Sequence, residues 1–371
     1  MFEYSGAIHI HSIFSDGSGT VEEITRFARE VKLDSRFARE VKLDYMILTD
    51  HNTMKAKDLG YEKWYGETML IVGYEQNDMK NRNHYVVLGL DKPLGTFEIL
   101  EDGDLGNVKS AKEYITEINE NGGFGFIAHP DEKRNHLPNH PPYPFTDWDS
   151  KDFNGIEIWN HMSEWMEGLT DKNKLYRLIH PLRTIVSPPQ ETLKKWDELN
   201  MIRKVTGIGG VDAHAFKQNI LGMYEVEIFP YKVLFKSIRT HIFTDKKLSP
   251  ENPEKFAEDK MEILKAIKDG RSFIVNSYHG DGRGFRFFAE YDSEIFQMGD
   301  EIKIDLTKNK KITFTAYIPK ESKIRFIQNE KAIDEVKGFN CLWQSNEKGC
   351  YRIEAWIGDK GWIFSNHIRV V

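Results

Sequence analysis

The chain has 371 residues, a formal net charge of −7 and 40% apolar residues, room for one large globular domain and a small one or for two of medium size. That balance excludes a basic face for long nucleic acid, and no apolar run nears the ~20 residues that span a bilayer. No basic-then-apolar leader follows Met1, so a cytoplasmic home is expected, and Cys341 and Cys350 are too few for a disulfide framework.

Ala7-Ile8-His9-Ile10-His11 alternates. A strand here would turn His9 and His11 to one face, ~7 Å apart, and Ile8 and Ile10 to the other. A His-x-His pair at a strand end, followed by a Ser-Asp-Gly loop offering the oxygen of Asp16, is half a metal site. Thr20 can cap a helix with Glu22 and Glu23 in its first turn. The segment Arg26–Asp34 then recurs unchanged as Arg36–Asp44, with no third copy. Ten residues advance a helix by about 1000°, which swings the second apolar stripe roughly 80° from the first. A break, a second short helix or an outward bulge is therefore expected, away from the chemistry.

Tyr45–Leu48 reads as a strand ending on Thr49-Asp50-His51-Asn52, and Met69–Glu75 as an apolar run closing on a carboxylate. His84 opens another run, Tyr85–Leu90. Ser110–Glu120 has helical spacing and stops at Asn121-Gly122-Gly123; Phe124–Ala128 is a strand ending on His129-Pro130. Residues Asp131–Phe153 form a polar, proline-rich loop long enough to expect a function. Asn154–Asn160 follows as a strand, then a helical region with Trp165, Arg177 and His180, and a helix over Gln190–Leu199. Gly207–Val211 leads to Asp212 and His214, and Lys255–Lys268 is a last helix, stopped at Gly270.

The strand–helix alternation predicts an α/β parallel or mostly parallel barrel. From Gly284 the texture changes to short alternating strands such as Phe285–Ala289, Ile312–Ile318 and Tyr351–Ile357, the pattern of a small all-β sandwich. The expected division is a barrel over 1–278 and an Ig-like sandwich over 284–371, joined near Asn276–Arg283.

The strand-end groups, in order, are His9, His11, Asp16, His51, Glu75, His84, His129, Asp212 and His214. Parallel barrels gather such ends in one pocket. So many imidazoles and carboxylates in one cleft would be strongly unfavourable without cations.

His9-Ile-His11-Ser12, Asp16-Gly17, Thr49-Asp50-His51-Asn52, Ala128-His129-Pro130 and Asp212-Ala213-His214 resemble the successive motifs of the PHP (polymerase and histidinol phosphatase) superfamily. The resemblance covers roughly residues 5–275. It implies a distorted (β/α)7 barrel holding two or three divalent ions, zinc, manganese or iron. The first would take His9, His11, Glu75 and Asp212, the second Glu75, His84 and His129, the third Asp16, His51 and His214. Gly155-Ile156-Glu157-Ile158, Gly270-Arg271-Ser272-Phe273, Gly282–Phe287 and Trp362–Asn366 further resemble the carbaryl-hydrolase-like (CehA/McbA) branch, with its C-terminal β-sandwich. His367 departs from the proline expected after Ser-Asn.

The function this implies is hydrolysis of a small-molecule phosphoester by an acidified water. The alternatives are a carbamate or carboxylic ester hydrolase on the same metals, a short-oligonucleotide exonuclease, and a metal-free scaffold. Asp50, Glu157 and Arg177 are the candidate catalytic residues, Asp50 by fixing an imidazole. Arg134, Arg183 and Lys55 join Arg177 as candidate clamps for phosphate; His136, His140, His161 and His180 are candidate acids, and Trp159 and Trp165 candidate walls.

Overall fold

Strand Phe2–Ile8 sits inside a 14-stranded sheet. On one side it pairs in parallel with Tyr45–Leu48, which pairs in parallel with Thr68–Val72. On the other it pairs antiparallel with Ile238–Thr244, and that strand with Ser272–Asn276. A five-stranded sheet runs in the order Thr206–Gly210, Gly155–Asn160, Phe124–Ile127, Tyr85–Leu88, Tyr74–Gln76. Its first three strands are parallel and the remaining pairs antiparallel. The architecture of this computed structural model is thus mixed α/β, with more antiparallel pairing than the alternation predicts. It describes residues 1–30, 42–100, 103–136, 141–220, 224–305 and 310–371.

The apolar run over Met69–Glu75 is not one strand. The chain changes sheet at Gly73, where a Cβ would overlap the Val87 carbonyl, so a residue with no side chain is required. The two sheets are stitched together beyond their strands' carboxyl ends. Val211 N–H donates to Ile8 O at 3.0 Å, His11 N–H to Ala213 O at 3.0 Å, and Asn52 N–H to Glu75 O at 2.7 Å. Loops far apart in sequence therefore share one rim.

Local chemistry accounts for the helices. In Val21–Glu30, Glu23 N–H donates to Thr20 Oγ1 (3.2 Å) and Thr20 N–H to Glu23 Oε2 (3.0 Å), a reciprocal cap. The break expected in the duplicated segment falls on 31–41, outside the described residues. Ala111–Glu120 buries Ala111, Tyr114, Ile115 and Ile118, one face of a helix. No helix among the described residues is long and apolar enough to cross a membrane.

Beyond Arg283, Ile312–Gln328 pairs antiparallel with Arg286–Tyr291, Lys331–Ser345 and Gly349–Ile357. This region is welded to the first. Ser272–Asn276 pairs with Lys360–Ser365, so the large sheet runs through the junction. Phe243, Phe273 and Val275 share a core with Phe287, Phe314 and Trp362. Cys341 and Cys350 are free thiols.

A second seam lies on helix Gln190–Ile202, where Asp197 receives the fork of Arg352 at 2.7 and 2.8 Å. His367 Nε2 lies 2.6 Å from Asp197 Oδ1, a bond a proline at that position could not make. Burial would push the Asp197 carboxyl up, but Arg352 and His367 hold it well below the usual carboxylate range. Asp197→Ala leaves the Arg352 charge buried without this partner and is expected to cost ~3 kcal/mol, read as a lowered denaturation midpoint. Because the folded carboxyl is depressed, its contribution is present above about pH 4 and fades as pH falls below that. The deficit of Asp197→Ala should therefore shrink in acid.

Candidate metal centre

The first strand stops at Ile8, three residues short of the alternation expected through His11. His9 takes a left-handed backbone (φ 67°), as do His129 (φ 27°) and Asp212 (φ 52°). Such conformations cost of order 1–3 kcal/mol each outside glycine and persist where the surrounding structure enforces them. Here the cross-sheet bonds do so: Ala213 N–H donates to His9 O at 3.3 Å, just as His11 N–H returns to Ala213 O. The bent backbone still delivers His9 and His11 to the same place.

That place is Glu75, which is 1% exposed. Its Oε2 lies 3.1 Å from His9 Nε2, 3.3 Å from His11 Nε2 and 3.4 Å from His51 Nδ1. Its Oε1 lies 2.9 Å from His84 Nδ1 and 3.3 Å from His129 Nε2. His84 immediately precedes its strand and Glu75 lies within Tyr74–Gln76, whereas His9, His51, His129 and Asp212 follow the ends of theirs. His84 reaches the same rim because Tyr85–Leu88 runs antiparallel to Phe124–Ile127, pairing Tyr85 with Ile127.

Asp212 Oδ1 lies 3.4 Å from His9 Nε2 and 3.5 Å from His11 Nε2. Asp16, on a half-exposed loop, places Oδ2 3.1 Å from His214 Nε2 and Oδ1 3.7 Å from His51 Nε2. The structure thus brings all nine strand-end residues into one cluster, in four overlapping groups. These are His11, Asp16, His51 and His214; His9, His11 and Asp212; His9, Glu75 and His129; and His51, Glu75 and His84.

The donor set suits divalent ions on two counts. Four ligands at ~2.1 Å around one ion stand about 3.4 Å apart, in the middle of these spacings. In addition, His11 Nε2 and His51 Nδ1 are buried with no hydrogen-bond partner, a costly state for a ring nitrogen unless a cation takes the lone pair. Electrostatics run the same way. Burial alone would push His11 and His129 down, but Asp212 and Glu75 beside His11 bring it to about 10, and Glu75 and Glu132 bring His129 to about 9. For His51 burial wins, pushing it down to about 4. Glu75 is held well below its usual range by the imidazoles despite its burial.

Of the catalytic candidates, Glu157 is at the centre. Its Oε1 lies 2.9 Å from His9 Nδ1, and its Oε2 accepts the His129 N–H (2.9 Å) and Asn160 Nδ2 (2.9 Å). Among the described residues Asp50 makes no direct hydrogen bond to an imidazole and reaches the His11 ring only by way of Ser15 Oγ, 3.5 Å from His11 Nδ1. It accepts Ser12 N–H (2.6 Å), Ser12 Oγ (2.8 Å) and Ser15 Oγ (2.8 Å), so it ties down the turn that carries Asp16. Arg177 donates to Trp165 O at 2.8 Å and does not line the cleft beside the cluster.

That cleft, of about 450 Å³, is lined by Arg134, Tyr143 and Trp165 among others. Trp159 instead packs in the core against Phe364. Lys55 lies over Phe14, and Arg183 lines a different groove. His136 and His180 are exposed, and His140 lies outside the described residues. His161 is fully buried, which pushes it down to about 3 and keeps its ring uncharged near neutrality, unlike an imidazolium acid. Three residues at the site were not anticipated from sequence. Tyr143 stacks on His84 (5.1 Å), Asn160 Nδ2 reaches Asp212 Oδ2 (3.2 Å), and Tyr231 Oη donates to His11 O (2.7 Å). Asn160, the last residue of a strand, and Tyr143, in the loop over Asp131–Phe153, each carried a signal that could have marked them.

No family model and no curated protein matches the chain. Similar solved structures include a two-domain protein from Bacteroides vulgatus containing a predicted PHP-like metal-dependent phosphoesterase, with 16% identity and a TM-score of 0.40 over 99% of this chain and 95% of that one. Another is Endonuclease Q in complex with a 27-mer duplex carrying an abasic lesion, with 13% identity and a TM-score of 0.39 over 72% of this chain and 57% of that one. At scores below 0.5 the likeness establishes neither fold nor function for this chain.

Proposed function

We propose that the chain is a metal-dependent hydrolase of the phosphoesterase type. The observation that carries this reading is the gathering of six imidazoles and three carboxylates, buried Glu75 among them, at ligand-to-ligand spacing. The sequence motifs of the PHP superfamily support it, and with them a distorted (β/α)7 barrel over 1–278 and a sandwich over 284–371. His9, His11, Glu75 and Asp212 would hold one ion, Glu75, His84 and His129 a second, and Asp16, His51 and His214 a third. Divalent ions held there supply an acidified water and positive charge against phosphoryl oxygens.

The chain's own contribution is rigidity. Glu157 fixes the His9 ring and the His129 backbone with one carboxylate, and Asp50 fixes the Ser12–Ser15 turn. Pre-set ligands keep the reacting geometry from drifting, which is worth orders of magnitude in rate. A carboxylic ester or carbamate is the second reading, because the cleft beside the ligands is mostly apolar. The test is to strip the protein with a chelator, reload it with zinc, manganese or iron, and measure ion content and hydrolysis of matched phosphate and carboxylic esters. Two or three ions per chain and ion-dependent phosphoester hydrolysis are expected. Full activity after stripping would overturn the proposal.

A further inference from the structure

The cleft beside the ligands is lined by two unlike sets of residues. In one, Arg134 is 7% exposed at its side chain, held by Glu132 Oε1 at 2.9 Å and lying 4.7 Å over the Tyr143 ring. Glu132 is fixed in turn by the Tyr143 N–H (2.8 Å) and Ser163 Oγ (3.1 Å). Arg134 Nε is buried with no hydrogen-bond partner, in a residue that lines the cleft. A buried guanidinium N–H left unpaired is costly, and an anionic oxygen is its best acceptor.

In the other set, Met162, Trp165 and Phe229 are 3–5% exposed, with Trp165 edge-on to Phe229 at 4.7 Å. Met166 and Leu169 are half-buried beside them. Methionine and aromatic side chains make an adaptable surface for hydrocarbon and offer little to a sugar's hydroxyls.

We propose, on the reading of this site as a phosphoesterase, that its substrate is a phosphate ester of a bulky apolar alcohol. The hydrocarbon part lies against Met162, Trp165 and Phe229 while Arg134 holds a phosphoryl oxygen. The reaction balances as a hydrolysis. The oxygen of water bonds to phosphorus, the bond from phosphorus to the alcohol oxygen breaks, and one water proton ends on the departing alkoxide.

The test uses the full, metal-loaded chain and leaving alcohols of similar acidity. 2-Phenylethyl phosphate is expected to exceed glycerol 3-phosphate at least ~30-fold in kcat/KM, the worth of burying one phenyl group. Non-hydrolysable 2-phenylethylphosphonate should bind at least ~30-fold more tightly than methylphosphonate, by calorimetry. Met166→Gln, a half-buried position chosen to spare the fold, should cut both preferences by about 3- to 10-fold. Arg134→Gln should weaken phosphonate binding about 10- to 100-fold with no change for neutral 2-phenylethanol, and Arg134→Lys should recover part of the loss. Equal affinity for the two phosphonates, or preferences untouched by Met166→Gln, overturns the proposal. Loaded protein that hydrolyses no phosphoester overturns the phosphoesterase reading, while the phosphonate pair still decides the apolar subsite.

Discussion

Glu75→Ala is expected to lower phosphoester hydrolysis by about 10³-fold and to leave the purified protein short of at least one ion. The carboxylate stands within 3.4 Å of five imidazoles, and no other side chain in the cluster touches as many. Removing it takes a ligand from two of the four ligand groups and leaves five rings without their shared counter-charge. Glu75→Gln separates charge from shape, since an amide of the same size keeps the packing and loses the anion. Elemental analysis beside the kinetics decides the matter. A Glu75→Gln protein with its full complement of ions and activity within a few-fold of the parent would sink the central role assigned here.

The second large effect belongs to a residue outside the ligand set. Glu157→Ala is expected to cost about 10²-fold in activity or metal affinity, the upper range for a group that orients ligands. Two ligands depend on it, His9 through the ring and His129 through the backbone. Its carboxylate also sits where a Cβ on Gly210 would fall, with His9 Cβ at 2.9 Å from the same point. Gly210→Ala should therefore displace Glu157 from His9 and give a similar loss while every ligand remains. If Gly210→Ala is fully active while Glu157→Ala is not, Glu157 acts by some route other than holding the His9 ring and the His129 backbone.

Much of the local structure was legible because it depends on neighbours in sequence. Thr20 with Glu23 and Ser110 with Glu113 close helix caps within three residues. Tyr45–Leu48 and Phe124–Ile127 are short apolar runs buried along their whole length. The reading was poorer where the decision was made at a distance. Gly73 divides an apolar run between two sheets because Val87, on another strand, leaves no room for a side chain. Asp50 was assigned to an imidazole, yet its partners are Ser12 and Ser15. Arg177 and Arg134 look alike in sequence, but only Arg134 lines the cleft.

By itself the sequence determined which residues are candidates for the chemistry: histidines and carboxylates beside short apolar runs, in an acidic chain with two cysteines. Residue type and local spacing suffice for that, because hydrophobic periodicity and ligand chemistry are properties of short segments. Only the tertiary structure decided what touches what. It set Glu75 among five imidazoles, put Glu157 behind His9, brought His84 to the rim through an antiparallel strand, and gave His367 to Asp197 across a seam between distant segments. Those contacts join residues tens to hundreds of positions apart, and chain folding, not local preference, determines their distance and direction.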